Sequence, residues 1–235
     1  MEWQEIKARL EVAYGPPQRP RTLSPLDELI STILSQNTSD QNRDKAFDSL
    51  KAAFPSWAEV AAAAPEKVIE AIRMGGLAPT KGPRIQAALR RVEEAFGCFE
   101  LSESSSPGEL FSFLLSLPGV GPKTARIVLL FSLGEPCFPI DTHIERIGRR
   151  LKFIASPTSL TEAMERLDHD VPASLQLPLH LLLIEHGRRT CRPRPHCSEC
   201  PLLDLCPSSC TFHPIPAEQD GQMKGATGLL GKKPA

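Results

Sequence analysis

The chain has 235 residues, of which 41% are hydrophobic and 23% are charged, and its formal net charge is −1. This composition is ordinary for a globular protein of one large or two small domains, and it excludes a chain that binds nucleic acid through bulk positive charge. The charged first segment and the lack of a long apolar run argue against a signal peptide and a membrane span, so we expect an intracellular protein with no membrane partner.

Helix start signals recur along the chain and predict an all-α fold. Ser24 precedes Pro25 and an apolar face of helical spacing, and Ser106 and Glu109 have capping-box spacing before a second apolar run. No stretch alternates in the manner of a strand. Residues 211–235 lack periodicity and predict a disordered tail. Further helices are expected near 2–14, 41–54, 65–73, 82–95, 123–133, 142–152, 159–168 and 175–186.

Basic residues are concentrated in two stretches. Residues 120–152 carry six Lys or Arg against three acids. Residues 71–92 carry no acid and five cations, which are Arg73, Lys81, Arg84, Arg90 and Arg91. Local basic surface can bind phosphates even on a neutral protein, although solvated helix faces explain these charges equally well.

The sequence LPGVGPKTA at 117–125 predicts a tight turn between two helices. Gly119 and Gly121 can adopt positive φ, and Pro122 suits the first position of the second helix. The turn exposes backbone N–H groups, and the helix N-terminus favours a nearby phosphate. This segment is therefore interpreted as a phosphate-binding hairpin, although glycine-rich connections are often only tight turns.

Lys123 stands at the start of the helix that follows the hairpin. It could be a solvated lysine or a phosphate contact. Alternatively it is a nucleophile, because a desolvated amine near a positive helix end has a lowered pKa and can form a Schiff base. Such chemistry needs a nearby carboxylate to move protons. Asp141, in PIDTHIERIGRRL, is predicted to cap a helix and to supply that carboxylate, whereas His143 is interpreted as a structural hydrogen-bonding residue.

Four cysteines are spaced C-x5-C-x2-C-x5-C near the end of the chain, at Cys191, Cys197, Cys200 and Cys206. A zinc site usually joins two short knuckles, whereas this compact spacing favours thiolates around one cubane cluster; zinc remains the alternative. Cys210 could replace one ligand. Cys98 and Cys137 are predicted to be reduced core cysteines.

Taken together and in this order, LPGVGPKTA, PIDTHIERI and HGRRTC with its cysteine run resemble the endonuclease III family of helix-hairpin-helix DNA glycosylases. The similarity covers roughly Leu23 to Cys206. The resemblance implies that Lys123 is the nucleophile, that Asp141 is the catalytic carboxylate, and that the four cysteines hold a [4Fe–4S] cluster. It implies a bifunctional glycosylase and lyase that removes oxidised pyrimidines from duplex DNA and cuts 3′ to the abasic site.

The resemblance also implies an architecture and a set of DNA contacts. Residues 24–135 would form a six-helix barrel with the hairpin, and residues 1–23 with 136–210 would form the cluster domain across a cleft. The protein is expected to act as a monomer, in the cytoplasm near the nucleoid if the source is prokaryotic. The implied DNA contacts are Gln36, Asn37, Leu77, Gly119, Val120, Gly121, Arg192 and Arg194.

The sequence departs from the family pattern at three places. The first cysteine gap is one residue shorter, Asn37 occupies the usual gap-filling glutamine position beside Gln36, and residues 78–80 replace the usual Tyr-Asn-Ser after Leu77. Leu77 itself could be a wedge in the duplex or a core leucine. Two other functions stay open: a monofunctional adenine-removing mismatch glycosylase, which usually lacks the lysine, and a non-catalytic paralogue that binds damaged DNA.

Overall fold

The computed structural model describes residues 2–19, 21–101 and 106–209. Within these ranges the fold is all-α, as predicted, and contains no strand. The predicted tail at 211–235 and the possible ligand Cys210 lie outside the described residues. The α-helices are α1 Trp3–Tyr14, α2 Pro25–Ser35, α3 Asp40–Ala53, α4 Trp57–Ala62, α5 Pro65–Ala71, α6 Ala78–Phe96, α7 Pro107–Ser116, α8 Pro122–Val128, α9 Thr142–Leu151, α10 Leu160–Asp170 and α11 Ala173–Arg189.

Several helix starts are fixed by the predicted caps. The Ser24 hydroxyl accepts a hydrogen bond from the backbone N–H of Asp27 at the start of α2. Ser106 and Glu109 form the full capping box of α7, with each side chain accepting from the backbone of the other residue. These contacts satisfy N–H groups that a helix cannot pair internally.

The structure differs from the predicted elements in two helices. The short helix α4 was not predicted. Helix α6 begins at Ala78, four residues before the predicted start, because Leu77 takes a left-handed conformation with φ of 51° and ends the preceding turn. Pro79 does not prevent this start, since a proline in the first turn lacks only an N–H that would have no helical partner.

The buried apolar residues form two separate clusters, here called the first core and the second core. The first core runs from Leu26 on α2 to Cys137. The second core combines residues of α1 with residues from Phe138 to Leu202. The chain therefore passes from one core to the other between Cys137 and Phe138, close to the predicted domain boundary, and the division into two domains stays a prediction.

Two cysteines outside the four-cysteine run were predicted to be buried, and they differ. Cys137 is buried in the first core, where desolvation raises the pKa of its thiol to about 12. Cys98 is exposed, so its assignment to the core was wrong. It follows Gly97, which caps the end of α6 in a left-handed conformation and turns the chain outward.

Candidate active site

The hairpin between α7 and α8 depends on one glycine. Gly119 has φ of +80°, and a Cβ atom added there would lie 2.8 Å from the Cδ atom of Arg84. Gly121 has φ of −104°, which other residues also adopt, so the predicted need for positive φ applies to Gly119 alone. Val120 is 7% exposed and anchors the turn in the first core. Only its backbone can contact a partner.

The two candidate reactive residues stand at neighbouring helix starts. Lys123 is the second residue of α8, and its side chain is exposed, so the free protein does not supply the desolvation that the sequence interpretation assumed. Asp141 caps α9 as predicted, because its Oδ1 accepts a 2.7 Å hydrogen bond from the backbone N–H of Ile144. This bond fixes the carboxylate and leaves Oδ2 available for other contacts.

The charges of Lys123 and Asp141 both affect the pKa of a buried histidine, His180. His180 on α11 is 1% exposed, and its Nδ1 lies 3.1 Å from the carbonyl oxygen of Pro139, so Nδ1 carries the proton that the carbonyl accepts. Burial lowers the pKa of His180 to about 4, while the Asp141 carboxylate raises it and the Lys123 ammonium lowers it. The two charges therefore act on this imidazole in opposite directions.

His143 fits its predicted structural role. Its Nδ1 lies 3.1 Å from a guanidinium nitrogen of Arg146, which also donates to the carbonyl oxygen of Gly187 at 3.0 Å. A Cβ atom added at Gly187 would lie 2.7 Å from His143, so α9 and α11 approach closely at this point. The contact ties the start of α9, which carries Asp141, to α11, which carries His180.

Two exposed segments flank the hairpin. The Gln36 side chain donates a 3.0 Å hydrogen bond to the carbonyl oxygen of Gly119, whereas Asn37 is exposed with a left-handed φ of 53°. Leu77 is 53% exposed, so it is not a core leucine, and Met74 beside it is equally exposed. The residues predicted to enter the duplex therefore lie on the surface, and one of them touches the hairpin directly.

One cation of the predicted basic stretch is unavailable to phosphates. Lys81 is 1% exposed and donates to the carbonyl oxygens of Leu34 and Gly75 at 2.7 and 2.8 Å. It thereby joins the end of α2 to the segment before Leu77. Arg84, by contrast, is exposed and lies against the hairpin at Gly119, so it is the cation of this stretch nearest to the candidate site.

The four cysteines of the C-terminal run line one small cavity of about 20 Å³, together with residues of α9 and α11. A guanidinium nitrogen of Arg150 donates to the Cys191 sulfur at 3.2 Å, and the Nε2 atom of His186 lies 3.9 Å from the Cys200 sulfur. Desolvation, with smaller contributions from the neighbouring cysteines, raises the pKa of Cys200 to about 11. A cationic group in the cavity would favour the thiolate form of Cys200.

The chain between Cys191 and Cys197 carries the two predicted loop arginines. Arg192 and Arg194 are both exposed, and the Nε of Arg192 donates to the carbonyl oxygen of Arg188 at 2.8 Å. This hydrogen bond connects the end of α11 to the loop that contains Arg192. Both guanidinium groups remain accessible on the same surface.

The all-α fold, the glycine hairpin and the capped carboxylate beside it define a helix-hairpin-helix protein. Residues 30–172 match the family model described as HhH-GPD superfamily base excision DNA repair protein. The chain is 36% identical over 199 residues to endonuclease III of Thermotoga maritima, covering 83% of this chain and 89% of that protein. The chain therefore belongs to the endonuclease III family of base excision DNA repair glycosylases, as its motifs predicted.

Two further comparisons agree with this assignment. A putative DNA glycosylase of Arabidopsis thaliana is 38% identical over 167 residues, which are 70% of this chain and 57% of the plant protein. A solved structure of endonuclease III trapped as a covalent intermediate with DNA superposes with a TM-score of 0.77 at 27% identity, covering 90% of this chain and 98% of that one. DNA binding is thus a property of this chain's family and fold.

The described part of the chain contains no helix that is both long and apolar enough to cross a membrane.

Proposed function

We propose that the chain is a bifunctional glycosylase and AP lyase that removes oxidised pyrimidines from duplex DNA as a monomer. The observation that carries the proposal is that Lys123 is exposed directly after the hairpin, while the cap to Ile144 fixes the Asp141 carboxylate at the start of the next helix. An amine and a carboxylate held near each other can perform attack and proton transfer at one carbon. The trapped covalent intermediate of the related endonuclease III gives further support.

The reaction begins with extrusion of the damaged nucleotide, because C1′ is shielded inside the stacked duplex. The lone pair of the Lys123 amine bonds to C1′ as the glycosidic bond breaks, and the base leaves with the bonding electrons. Loss of a proton from nitrogen and opening of the sugar ring give an imine. Removal of a C2′ proton then expels the 3′ phosphate and cuts the strand.

Asp141 has two roles in this reaction. Its carboxylate accepts the proton that Lys123 must lose before it can attack and passes that proton to the departing base, so that its restored negative charge stabilises the cationic sugar. The cap to the N–H of Ile144 holds the group in place while it does so. Bound DNA would cover the exposed Lys123 side chain and supply the desolvation that the free protein lacks.

Contacts around the hairpin would hold the DNA. The backbone N–H groups of Gly119 and Gly121 bind phosphate, whereas the N–H of Val120 donates to the carbonyl oxygen of Leu117 within the hairpin. Leu77 wedges into the duplex. Gln36 or Asn37 fills the space of the extruded nucleotide; the Gln36 side chain also donates a hydrogen bond to the hairpin at Gly119. Arg192 and Arg194 add phosphate contacts from the cysteine loop.

The four cysteines would hold a [4Fe–4S] cluster, with ligands Cys191, Cys197, Cys200 and Cys206. Their sulfurs surround a cavity, and no group of His, Cys, Asp or Glu within the described ranges is arranged around a single ion. The compact C-x5-C-x2-C-x5-C spacing favours one cluster over zinc, because a zinc site usually joins two short knuckles. The bound cluster would order the loop that carries Arg192 and Arg194.

The cluster gives a direct prediction for the purified protein. Anaerobically isolated protein should contain about four iron atoms per chain and absorb at roughly 400 nm, as thiolate-bound clusters do. Cys200→Ser should lose iron and absorbance, because it removes one ligand from the cavity. Cys98→Ser is the matched control and should keep both, since Cys98 is exposed and does not line the cavity. Protein with stoichiometric zinc and no iron would contradict the cluster.

The function is tested with a panel of duplexes that each carry one lesion. We expect base release and strand cleavage on oxidised pyrimidines and cleavage of a preformed abasic site, with little action on undamaged DNA. Base release without strand cleavage would indicate a monofunctional glycosylase. Tight binding to an abasic analogue with neither activity would indicate a non-catalytic damage-binding protein. Either of these results would contradict the proposed lyase.

A further inference from the structure

One partly buried carboxylate joins the two chain segments that carry the reactive residues. Asp168 on α10 accepts two hydrogen bonds on Oδ2 from the guanidinium of Arg126, at 3.0 and 2.8 Å. Its Oδ1 accepts a 2.6 Å hydrogen bond from the backbone N–H of Phe138. The guanidinium carbon of Arg126 also lies 5.0 Å above the ring centre of Phe111, so the Phe111 ring packs against the guanidinium group as well.

Each of the two residues that Asp168 bonds lies three residues in sequence from one of the reactive residues. Arg126 follows Lys123 by three residues, about one turn along α8. Phe138 precedes Asp141 by three residues in the segment that enters α9. Asp168 itself belongs to neither segment. A single side chain therefore links α8 to the segment that leads into α9.

A cysteine completes this arrangement, here called the Asp168 clamp and defined by Asp168, Arg126, Cys137 and Phe138. The Cys137 thiol donates to the carbonyl oxygen of Arg126 at 3.2 Å. It therefore ties α8 to the residue just before Phe138. The clamp lies where the chain passes from the first core to the second core. Cys137 is thus bonded to α8 directly, and Phe138 is linked to α8 through Asp168 on α10.

We expect the clamp to fix the orientation of the segments it joins more than it raises the free energy of unfolding. The Arg126 side chain is 6% exposed, and a buried ion pair often stabilises a fold no better than apolar residues of similar volume would. Two guanidinium N–H groups that converge on one carboxylate oxygen, with a longer contact of 3.4 Å from Nε to Oδ1, nevertheless restrict both distance and orientation. A third hydrogen bond from a backbone N–H adds a constraint that an apolar contact would lack.

We propose that Asp168 is a positioning residue that holds Lys123 and Asp141 in register for attack on C1′. The inference rests on the proposed function, because it needs those two residues to be the reacting groups. Asp168 does not touch DNA or the reacting atoms. It acts through α8 and through the segment from Phe138 to Asp141.

The test compares Asp168→Asn with two controls on or beside the same helix. The asparagine still accepts from the N–H of Phe138 but loses the ion pair. Asp170→Asn removes a surface ion pair with Arg166, and Val171→Ala truncates a buried side chain of the second core. For each protein, the rate of borohydride-trapped adduct formation is measured at saturating abasic DNA, below all melting temperatures. Affinity for an uncleavable abasic analogue is measured separately.

We expect Asp168→Asn to slow adduct formation by about 10- to 100-fold, since displacements of about 1 Å cost that much. Affinity should stay within about twofold of wild type, and both controls should react at the wild-type rate. Arg126→Gln should show the same loss, and the double variant should be no slower than either single variant, because both remove one contact. This split between rate and affinity is not expected from general destabilisation.

Two results would overturn the positioning role alone. The first is an Asp168→Asn protein that reacts at the wild-type rate while wild type itself traps normally. The second is a Val171→Ala protein that loses as much rate as Asp168→Asn, because the effect would then follow core stability. A wild-type protein that forms no adduct at all contradicts the proposed function, and it thereby also contradicts the positioning role of Asp168.

Discussion

Replacing Lys123 with glutamine should abolish the covalent adduct that forms when the protein is reduced with borohydride on abasic DNA. The glutamine side chain has similar length but its amide nitrogen has no available lone pair, so no imine can form. Strand cleavage by β-elimination should disappear with it. The measurement is the fraction of labelled DNA that migrates as a protein–DNA species on a denaturing gel.

The matched control for this variant is Lys67→Gln. Lys67 is an exposed lysine on α5, so its replacement removes the same charge without touching the hairpin. It should form adduct at the wild-type rate. Both variants should melt at the wild-type temperature, because neither lysine is buried. An undiminished adduct in Lys123→Gln would remove Lys123 from the mechanism.

Replacing Asp141 with asparagine should separate its two roles. Asparagine caps helices about as well as aspartate, so the free energy of unfolding should change by less than about 0.5 kcal/mol. The amide cannot accept the proton of Lys123 or stabilise a cationic sugar. Base release in single turnover should therefore fall by about 10²- to 10⁴-fold.

The variant Asp141→Ala completes that comparison. It removes the cap as well as the charge, and the N–H of Ile144 loses its partner. It should lose about 0.5–2 kcal/mol of stability in addition to the activity. Near-normal turnover in Asp141→Asn would show that the residue only caps α9, and the proton transfer would then have to be assigned to another group.

Helix positions were predictable wherever local chemistry sets them. The serine caps at Ser24 and Ser106 were visible because each serine comes directly before a proline and an apolar periodic run. Helix α4 was missed because its six residues are too short to show a period. The start of α6 was missed because Leu77 is left-handed without being glycine, a conformation that tertiary contacts must hold.

The candidate site was predictable only in its exposed and local parts. The hairpin, the lysine and the capping aspartate each carry a signal within a few residues. His180 lies in an apolar run of α11 and gives no local sign that it faces the charges of Lys123 and Asp141. Asp168 likewise looks like one of several acids on an amphipathic helix. Its partners lie 42 and 30 residues away, so only the folded chain brings them together.

Lys81 shows the opposite error. It was counted among phosphate-binding cations because its neighbours are basic and acids are absent from the stretch. In the structure it is the buried link between α2 and the segment before Leu77. Proximity in sequence to other cations does not show whether a lysine is buried. The two backbone carbonyls that accept hydrogen bonds from the Lys81 ammonium group can be found only in the folded structure.

The central claim is that the Lys123 nitrogen bonds to C1′ of the damaged nucleotide. The most direct measurement is to reduce the adduct of wild-type protein with abasic DNA, digest it with protease and nuclease, and locate the residual sugar by mass spectrometry. The account predicts that the modification is found on the peptide that contains Lys123, at that side chain. A modification at another lysine, or at the terminal amine, would contradict it.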